Sequence, residues 1–578
     1  MKQSITKFIL MAFMLLVSVT ASAYVEIDGI FYNLSGGYAT VTYDTYGHSS
    51  YAGDIVIPPS VTYNGREYIV NEIHSFAFEQ STELTSVVIP NTVRSIGEYA
   101  FQGCTNLTSF NIPEQVTVIN DWCFGDCNSL DSVVIPEGIT EIGACAFHGC
   151  ANLTSITFPE SITKIGGLAF DETPWFDNLP DGLVYIGKIA YKYHGRIPNN
   201  CEIDIREGTV CISSSCFWEW STTGLTSITI PNSVRSIGFG AFYNCGRLTS
   251  IDLPEGLEEI ESSAFAHCSS LTSVVIPASV TSFGARAFDW CDALESLSVA
   301  PGNTIYDSRD NCNAIIRTSD NVLLEGCKTT VIPEGIKAIG RSALSDIDLL
   351  EVTLPSSLKT IYDYAFQLCS KLTHLELPDS LTSIGEYAFR WCSGLTTVSI
   401  GSSVQWIGNE AFAENRNMTD VYCYATRIPN ANTKAFKNSK VNENTVLHVP
   451  YELLEQYRNT APWSEFKEIV PLALPKCEAP TITLLPNGKV SVQSATEGAT
   501  CVTNITACNE EPITDSVISL SKSLVLYTVT SYATAEGYED SDAVTATFRW
   551  EGTDSDITGD GITDVDDVIR LINMILTQ

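Results

Sequence analysis

The sequence predicts a repeat solenoid with a parallel β-sheet and short helical or 3-10 turns, followed by a small β-sandwich and a C-terminal calcium loop and helix. The first observation is a period, because a phenylalanine recurs every 23 residues from Phe78 to Phe170. The second is an alternation of apolar and polar residues after residue 473, and the third is a run of spaced aspartates near the end. A fixed period of about 20 to 50 residues is typical of solenoids, whose units bury their apolar faces against neighbouring units.

The repeat unit divides into elements by its spacing. Val87 and Ile89 are two residues apart, so they point to the same side of a strand. Pro90 has no N–H to donate and ends this strand, Ile96 marks a second inward turn, and Phe101 begins a short helical or 3-10 segment. We expect the strands to stack into one parallel sheet along about fourteen coils. The unit reads LTSVVIPNTVRSIGEYAFQGCTN, from residue 84 to residue 106.

The pattern L-x-x-V-x-I-P followed by I-G-x-x-A-F-x-x-C resembles the BspA-like leucine-rich-repeat surface proteins of bacteria. The resemblance covers roughly residues 24 to 470. Members of that family are secreted or attached to the surface, and those with an assigned role mostly bind host proteins, host cells or other bacteria. The resemblance therefore implies a secreted or cell-surface bacterial protein, without catalytic activity, that mediates adhesion to host or microbial proteins or glycans.

Departures from the period divide the chain further. Irregular segments at about residues 171–224 and 292–345 interrupt the solenoid, which we expect to span residues 24–472. Residues 424–470 carry an amphipathic helix and resemble the closing cap of the same family. From residue 473 to 552, period-two alternation between Gly, Pro and Asp turns predicts an Ig-like β-sandwich that serves as a spacer.

The N-terminus has the composition of a signal peptide. Lys2 and Lys7 precede an apolar run over residues 8–19, and the small residues of a cleavage site follow at Ala21 and Ala23. The run is shorter than the roughly 20 residues that a membrane span needs, and no later stretch is long and apolar enough to cross a bilayer. We therefore predict a signal peptide over residues 1–23, cleavage after Ala23, export, and no transmembrane segment in the mature chain.

A twelve-residue acidic loop near the C-terminus predicts a calcium site. Side-chain oxygens fall at loop positions 1, 3, 5, 9 and 12, a glycine at position 6 allows the sharp turn, and position 7 offers a carbonyl. The alternative is an acidic surface turn that binds no ion. The candidate calcium ligands are Asp556, Thr558, Asp560, Ile562, Asp564 and Asp567.

This loop and the apolar segment after it, over residues 553–578, resemble one repeat of a type I dockerin. Dockerins carry two tandem repeats and bind cohesin modules, whereas this chain has one. It also departs from the pattern at Thr558, where Asp or Asn is usual, and at Asp567, where an EF-hand has a bidentate Glu. The resemblance supports calcium binding better than cohesin binding. It implies a cohesin-like or surface partner, and an alternative function as a structural or cargo subunit of a surface complex.

Strand positions that point away from the core form the candidate ligand-binding surface. Hydroxyl residues repeat along one row and mixed residues along the next, on the face where solenoids bind protein or glycan partners. The alternative is that these residue types simply suit stacked strands. The candidates are Ser86, Val88, Ser109, Asn111, Ser132, Val134, Ser155, Thr157, Ser227, Thr229, Ser250 and Asp252.

Aromatic residues in the first irregular segment allow two interpretations. Exposed rings would form a stacking platform for sugars, whereas buried rings would plug an irregular coil, and the second arrangement is the more frequent one. The residues are Trp175, Phe176, Trp218 and Trp220.

Eight of the 19 cysteines recur three residues after the repeated phenylalanine position, which predicts a buried column of thiols. Disulfides are the alternative, since export favours them, and metal binding is less favoured because no CxxC pair or histidine cluster accompanies the column. Cys501 and Cys508, in the predicted sandwich, are better disulfide candidates. The column comprises Cys104, Cys127, Cys150, Cys245, Cys268, Cys291, Cys369 and Cys392.

Charge and motifs exclude several classes of function. The chain has 68 acidic and 32 basic residues, for a net charge of −36, and this field repels phosphate backbones. We therefore expect no binding to nucleic acid. The seven histidines show no metal-ligand spacing, and HExxH, GxSxG and P-loop motifs do not occur. The sequence does not predict an enzyme.

Overall fold

A computed structural model describes residues 24–44, 50–218, 224–474, 476–485, 489–505, 517–519 and 526–549. The chain divides into two compact units. The first unit holds the described residues up to Val421 together with Pro429–Thr445, and the second holds Tyr422–Ile428 and the described residues from Val446 onward. The predicted signal peptide and the predicted calcium module lie outside the described residues.

The first unit begins with a mixed sheet in the strand order β1-β2-β3-β6-β5. The strands β1, β2 and β3 are antiparallel neighbours, and β3 and β6 run parallel. The strand β6 also pairs in parallel with β8 (Ser95–Ile96), so this sheet supplies an edge on which the first coil of the repeat forms. The five strands of the sheet are β1 (Val25–Ile27), β2 (Ile30–Ser35), β3 (Tyr38–Thr42), β5 (Ser60–Tyr63) and β6 (Arg66–Ile73).

In most regular coils one strand ends just before the proline of the repeat, and these strands form the long-strand column. They pair in parallel and in register, so that Ser132 lies beside Ser155 and Val134 beside Thr157. Pairing is broken into runs of two or three strands in the described part of this column, up to β24. The strands are β4 (Gly53–Val56), β7 (Leu84–Val88), β9 (Ser109–Phe110), β11 (Ser132–Val134), β13 (Ser155–Thr157), β17 (Cys201–Asp204), β19 (Leu225–Thr229), β22 (Ser273–Ile276), β24 (Ser296–Val299), β30 (His374–Glu376) and β32 (Thr397–Ile400).

A second parallel ladder, the short-strand column, uses the isoleucine of the I-G motif, so the prediction of one sheet is wrong. Ile119, Ile142 and Ile165 pair in register and are buried. A Cβ on the following Gly166 would lie 2.3 Å from the backbone nitrogen of Ala144, so glycine permits this close stacking. The strands are β8, β10 (Val118–Ile119), β12 (Glu141–Ile142), β14 (Lys164–Ile165), β18 (Cys211–Ile212), β20 (Ser236–Ile237), β21 (Glu259–Ile260), β23 (Ser282–Phe283), β28 (Ala338–Ile339), β29 (Thr360–Ile361), β31 (Ser383–Ile384), β33 (Trp406–Ile407) and β35 (Asn430–Ala431).

The segment around each repeated phenylalanine is a stack of turns, the turn column, and not the predicted helical or 3-10 segment. The N–H of Phe101 donates to the carbonyl oxygen of Cys123 in the next coil, and Phe124 donates to Ala146 in the same way, both at 2.8 Å. A helix would instead direct these N–H groups to carbonyls of their own segment. Tyr99, with φ of 58°, shows the left-handed conformation that turns the chain before each phenylalanine.

Stacked phenylalanine rings fill the centre of the solenoid. The ring of Phe101 lies 4.8 Å from that of Phe78 and 5.2 Å from that of Phe124, and each pair of planes is within 6° of parallel. The series continues to Phe147 and Phe170 and resumes in later coils. All five rings are fully buried, so each coil covers the apolar face of its neighbours, as the period predicts.

Both irregular segments contain antiparallel strands that join the short-strand column at one edge. The strand β16 pairs with β18, and β27 pairs with β28, both in parallel. These segments continue the column, and the solenoid has about 17 turns, against the about fourteen that the sequence predicts with the irregular coils included. Their elements are the helix α1 (Pro174–Asp177), β15 (Gly182–Ile186), β16 (Ile189–His194), β25 (Tyr306–Asp307), a 3-10 turn (Arg309–Asn311), β26 (Ala314–Arg317) and β27 (Val322–Gly326), and the helix α2 (Val441–Asn444) ends the unit.

The second unit contains one short parallel pair and two three-stranded antiparallel sheets. The strand β36 pairs with β37, and the two sheets have the orders β38-β39-β41 and β40-β42-β43. Val490, Val492 and Val529 are fully buried in a small core of this unit, whereas its assignment as an Ig-like spacer stays a prediction. The elements are β34 (Asp420–Cys423), which begins in the first unit, β36 (Val446–Val449), 3-10 turns (Tyr451–Leu453 and Trp463–Glu465), the helix α3 (Leu454–Arg458), β37 (Glu468–Pro471), β38 (Thr481–Leu484), β39 (Lys489–Gln493), β40 (Thr500–Ile505), β41 (Val517–Ser519), β42 (Leu526–Thr534) and β43 (Val544–Arg549).

Candidate binding surface

The candidate surface lies on the solvent side of the long-strand column. Along β11 the side chains alternate, with Ser132 and Val134 exposed and Val133 buried between them. Eleven of the twelve predicted positions are exposed and Ser86 is half-buried. Ser250 and Asp252 are exposed but lie outside any strand, so the predicted rows are interrupted there.

Many polar groups of this surface are occupied by neighbouring coils. The hydroxyls of Ser86 and Thr85 donate to the Asp54 carboxylate at 2.5 and 2.8 Å, and these bonds lower the pKa of Asp54. The side-chain amide of Asn111 bonds both the N–H and the carbonyl of Ile89, at 2.7 and 2.8 Å. Asn111 therefore continues the hydrogen bonding between these two coils just past the end of the β7–β9 pairing, and this candidate has a structural task.

Five valines in the row next to the hydroxyls are exposed, and we call them the exposed valine row. The exposed fraction of Val134 reaches 72%, and Val56 and Val88 lie side by side in paired strands. Contiguous exposed apolar residues mark interaction surfaces, and among these five valines Val56 and Val88 are the direct neighbours, since Asn111 lies between Val88 and Val134. The row comprises Val56, Val88, Val134, Val275 and Val331.

The structure also contains an aromatic groove that the sequence analysis missed in part. The ring of Tyr243 lies 4.9 Å from that of His267, and Phe239 is 54% exposed. Besides Trp218, its sequence signal is that Phe239 occupies a repeat position where Glu98 and Glu386 stand in other coils. The groove has a volume of about 520 Å³ and is lined by Leu168, Ser215, Trp218, Phe239, Tyr243 and His267.

The four aromatic residues that the sequence analysis named in the first irregular segment do not share one site. Phe176 is buried, and its ring makes edge contacts with Tyr191 at 5.8 Å and His194 at 5.0 Å. Trp175 is partly buried against the same core, so these two rings plug the coil. Trp218 lines the groove, and Trp220 lies outside the described residues.

Every described cysteine has a free thiol, and the repeated ones are arranged as the predicted column. The thiol of Cys104 donates to the carbonyl oxygen of Phe78 at 3.1 Å, and that of Cys150 donates to Phe124 at 3.2 Å. Burial raises the pKa of the Cys104 thiol to about 12. The predicted disulfide partner of Cys501, Cys508, lies outside the described residues.

The predicted calcium ligands from Asp556 to Asp567 lie outside the described residues, so calcium binding stays a prediction. In the described ranges, no group of three or more His, Cys, Asp or Glu side chains is placed to hold a metal ion. In the same ranges, no helix is long and apolar enough to cross a membrane.

Parallel ladders, a stacked phenylalanine core and exposed strand rows define a repeat solenoid with an open surface. The family model of the BspA type leucine rich repeat region matches residues 71–198, 210–312 and 324–443, with six copies. The chain belongs to this family, which confirms the leucine-rich-repeat solenoid. Membership fits a protein of the cell surface or the exterior with a binding role, and the family does not indicate an enzyme.

Three solved structures illustrate the similarity. A leucine rich cell surface protein from Faecalibacterium prausnitzii is 25% identical, with a TM-score of 0.35 over 74% of this chain and 96% of that one. A leucine-rich repeat protein from Bacteroides ovatus is 25% identical, with a TM-score of 0.30 over 77% and 99%. The pneumococcal vaccine antigen PcpA is 17% identical, with a TM-score of 0.31 over 78% and 99%. No curated protein matches the chain.

Proposed function

We propose that this chain is an exported, non-enzymatic protein that binds an extracellular protein or glycan, of host or microbial origin, through the long-strand column. The observation that carries the proposal is the exposed valine row, in which Val56, Val88 and Val134 are each more than half exposed. Burying such a side chain in an interface contributes about 1 kcal/mol, so these three valines, spread over four successive coils, supply part of a binding energy.

The test is a pull-down from extracellular proteins together with a glycan array. Val88→Lys with Val134→Lys places two ammonium groups on the row, and we expect it to abolish capture of the ligand. Tyr362→Lys is the matched control, because Tyr362 is 48% exposed but lies just after β29 in the short-strand column. An unchanged pattern of bound ligands in the double variant would contradict the proposal.

For a glycan ligand, the aromatic groove offers a second binding surface. Exposed rings such as Phe239 offer the flat faces on which sugar rings stack, and Ser215 and Asn244 add polar groups at the edge. Phe239→Ala would then weaken a glycan on the array while leaving protein capture unchanged. Equal glycan signals for the variant and the parent would assign no glycan to this groove.

A second candidate function makes the solenoid a structural or cargo subunit of a surface complex. The spacing of aspartates over residues 556–567 favours it, because the same spacing in dockerin repeats holds calcium and presents a docking helix. Deletion of residues 553–578 would release the protein from the surface while ligand binding stays intact. Retention of the truncated chain at the surface would contradict this candidate, and a cohesin-like partner would then have no role.

A further inference from the structure

The turn column is broken where the second irregular segment enters. In the coil before the break, the N–H of Phe265 donates to the carbonyl oxygen of Ala287 at 2.8 Å. The equivalent N–H of Phe288 has no such carbonyl and donates instead to Oε1 of Glu325 at 3.2 Å. A carboxylate 37 residues further along the chain therefore replaces the missing backbone acceptor.

The break leaves a cavity of about 50 Å³ beside this carboxylate. That volume corresponds to roughly three or four water molecules. Glu325 is 4% exposed and lines the cavity, and its Oε2 has no hydrogen-bond partner among the described residues. Such an atom takes its hydrogen bond from ordered water, an ion or a ligand group, and the cavity has room for one of these.

The cavity is surrounded by uncompensated acid. Five lining residues carry carboxyl groups, and one of them, Asp289, is paired with Arg286 at 2.5 Å. The lining Lys328 is bonded to Glu295 at 2.8 Å, and no Lys or Arg of the described residues forms an ion pair with the other four carboxyls. The carboxyl residues are Asp289, Asp292, Glu325, Asp346 and Asp348.

Burial and mutual repulsion both raise the pKa of two of these carboxyl groups, Asp346 and Glu325. Desolvation, with the charges of Asp292, Asp289 and Asp348, raises the pKa of Asp346 to about 7. Burial raises the pKa of Glu325 well above its usual value, and Asp289 adds to the effect. The cavity is therefore complementary to a positive charge, which would reverse both shifts.

The shape of the cavity and the residues that line it favour one kind of cation. A metal ion is disfavoured, since the described residues contain no group of three or more side chains placed to hold one. Trp290 lines the cavity, is 39% exposed, and has one ring face stacked on His267 at 5.3 Å. A guanidinium group has four heavy atoms, a planar fork of N–H donors that matches carboxylates, and a preference for indole faces.

We propose that this cavity binds a guanidinium group, either of a free small molecule or of an arginine side chain of a protein. Glu325 and Asp346 accept its N–H groups, and the indole of Trp290 covers it at the mouth. The site is separate from the exposed valine row and goes beyond the function proposed above, because binding here requires no contact with the long-strand column.

Isothermal titration of the full chain tests this site with three probes. Methylguanidinium and a blocked Gly-Arg-Gly peptide represent the two sources, and methylammonium controls for charge alone. We expect saturable binding of one equivalent of methylguanidinium, weakened about tenfold or more by Asp346→Asn and by Trp290→Ala. Glu376→Gln, which alters an exposed carboxylate in β30, is expected to bind as the parent does.

The variant Glu325→Gln keeps an oxygen that accepts the N–H of Phe288, so it removes the ionisable carboxyl while preserving this hydrogen bond. If it fails to fold, Asp346→Asn alone decides the matter. Binding of the peptide as well as methylguanidinium assigns an arginine side chain, and binding of methylguanidinium alone assigns a free small molecule. No saturable binding to either probe, equal binding of methylammonium, or binding unaffected by Glu325→Gln and Asp346→Asn would overturn the proposal.

Discussion

The thiol of Cys127 donates a hydrogen bond to the carbonyl oxygen of Phe101, 26 residues earlier in the chain, over 3.2 Å. Cys127 is fully buried, and the same contact recurs between Cys268 and Phe242. A residue at this position has to be small and able to donate a hydrogen bond to the neighbouring coil, and Asn415 and Ser439 make the equivalent bonds in later coils. Cysteine has these properties without forming a disulfide.

The column predicts a difference in reactivity between cysteines. Burial raises the pKa of the Cys127 thiol well above its usual value, so almost no reactive thiolate is present in the folded chain. Cys201 is only partly buried and serves as the control. We expect iodoacetamide to label Cys201 in the native protein and Cys127 only in denaturant, as measured by peptide mass spectrometry. Comparable native labelling of both would contradict a closed column.

The phenylalanine stack predicts a large loss of stability on truncation. Phe124 is fully buried between Phe101 at 5.2 Å and Phe147 at 5.3 Å. Phe124→Ala would lower the free energy of unfolding by about 3–5 kcal/mol, because it leaves a cavity that a stacked array fills poorly. Val134→Ala, at a position 72% exposed, would change it by less than about 0.5 kcal/mol. Urea unfolding measures both, and similar shifts would show that the stack contributes little.

The sequence predicts much of this fold because the period determines which residues face the core. The positions of Phe101, Ile119 and the strand before Pro90 follow from spacing alone. The turn column does not, because an A-F-x-x-C pattern suits a helical turn as well as a stacked turn. The choice depends on N–H groups such as that of Phe124 meeting a carbonyl in another coil, and no local pattern records that contact.

The sequence likewise predicts some residues of the candidate sites and does not predict others. The exposure of Val88 and Val134 follows from the alternation in the strand. The groove residue Phe239 and the cavity residue Glu325 lie where irregular segments bring distant parts of the chain together. The hydrogen bond from Phe288 to Glu325 depends on how the second segment folds back, which neither period nor propensity specifies.

Asp346 predicts a dependence of stability on pH. Its pKa is raised from 3.8 to about 7 by burial and by Asp292, Asp289 and Asp348. Between these values the folded chain keeps the proton that the unfolded chain releases, so a rise from about pH 4 to pH 7 favours unfolding. Asp346→Asn would remove about 1–2 kcal/mol of this loss, after allowing for partial exposure to solvent.

Urea unfolding of the parent and Asp346→Asn at several pH values measures this effect. The variant should lose less stability than the parent as the pH rises. Glu376→Gln, at an exposed strand position, should follow the parent. Parallel pH profiles for the parent and Asp346→Asn would contradict the assignment.

The acidic loop predicts one calcium site that depends on two aspartates. Asp556→Ala with Asp560→Ala removes the ligands at the first and fifth loop positions, which should abolish both the calcium-dependent shift in melting temperature and the heat of calcium titration. Asp554→Ala changes an aspartate just outside the loop and should bind as the parent does. A calcium response that persists in the double variant would contradict the assignment of this loop as the calcium site.

The stacked turns have a genetic consequence. Phe101 donates to Cys123 as Phe124 donates to Ala146, so each coil offers its neighbours the same backbone groups. A gene that loses or duplicates one whole repeat keeps its reading frame, and the ladders of the shortened or lengthened protein close again across the junction. Recombination between repeats is therefore a direct route by which a lineage of cells changes the length of this protein without having to find a new fold.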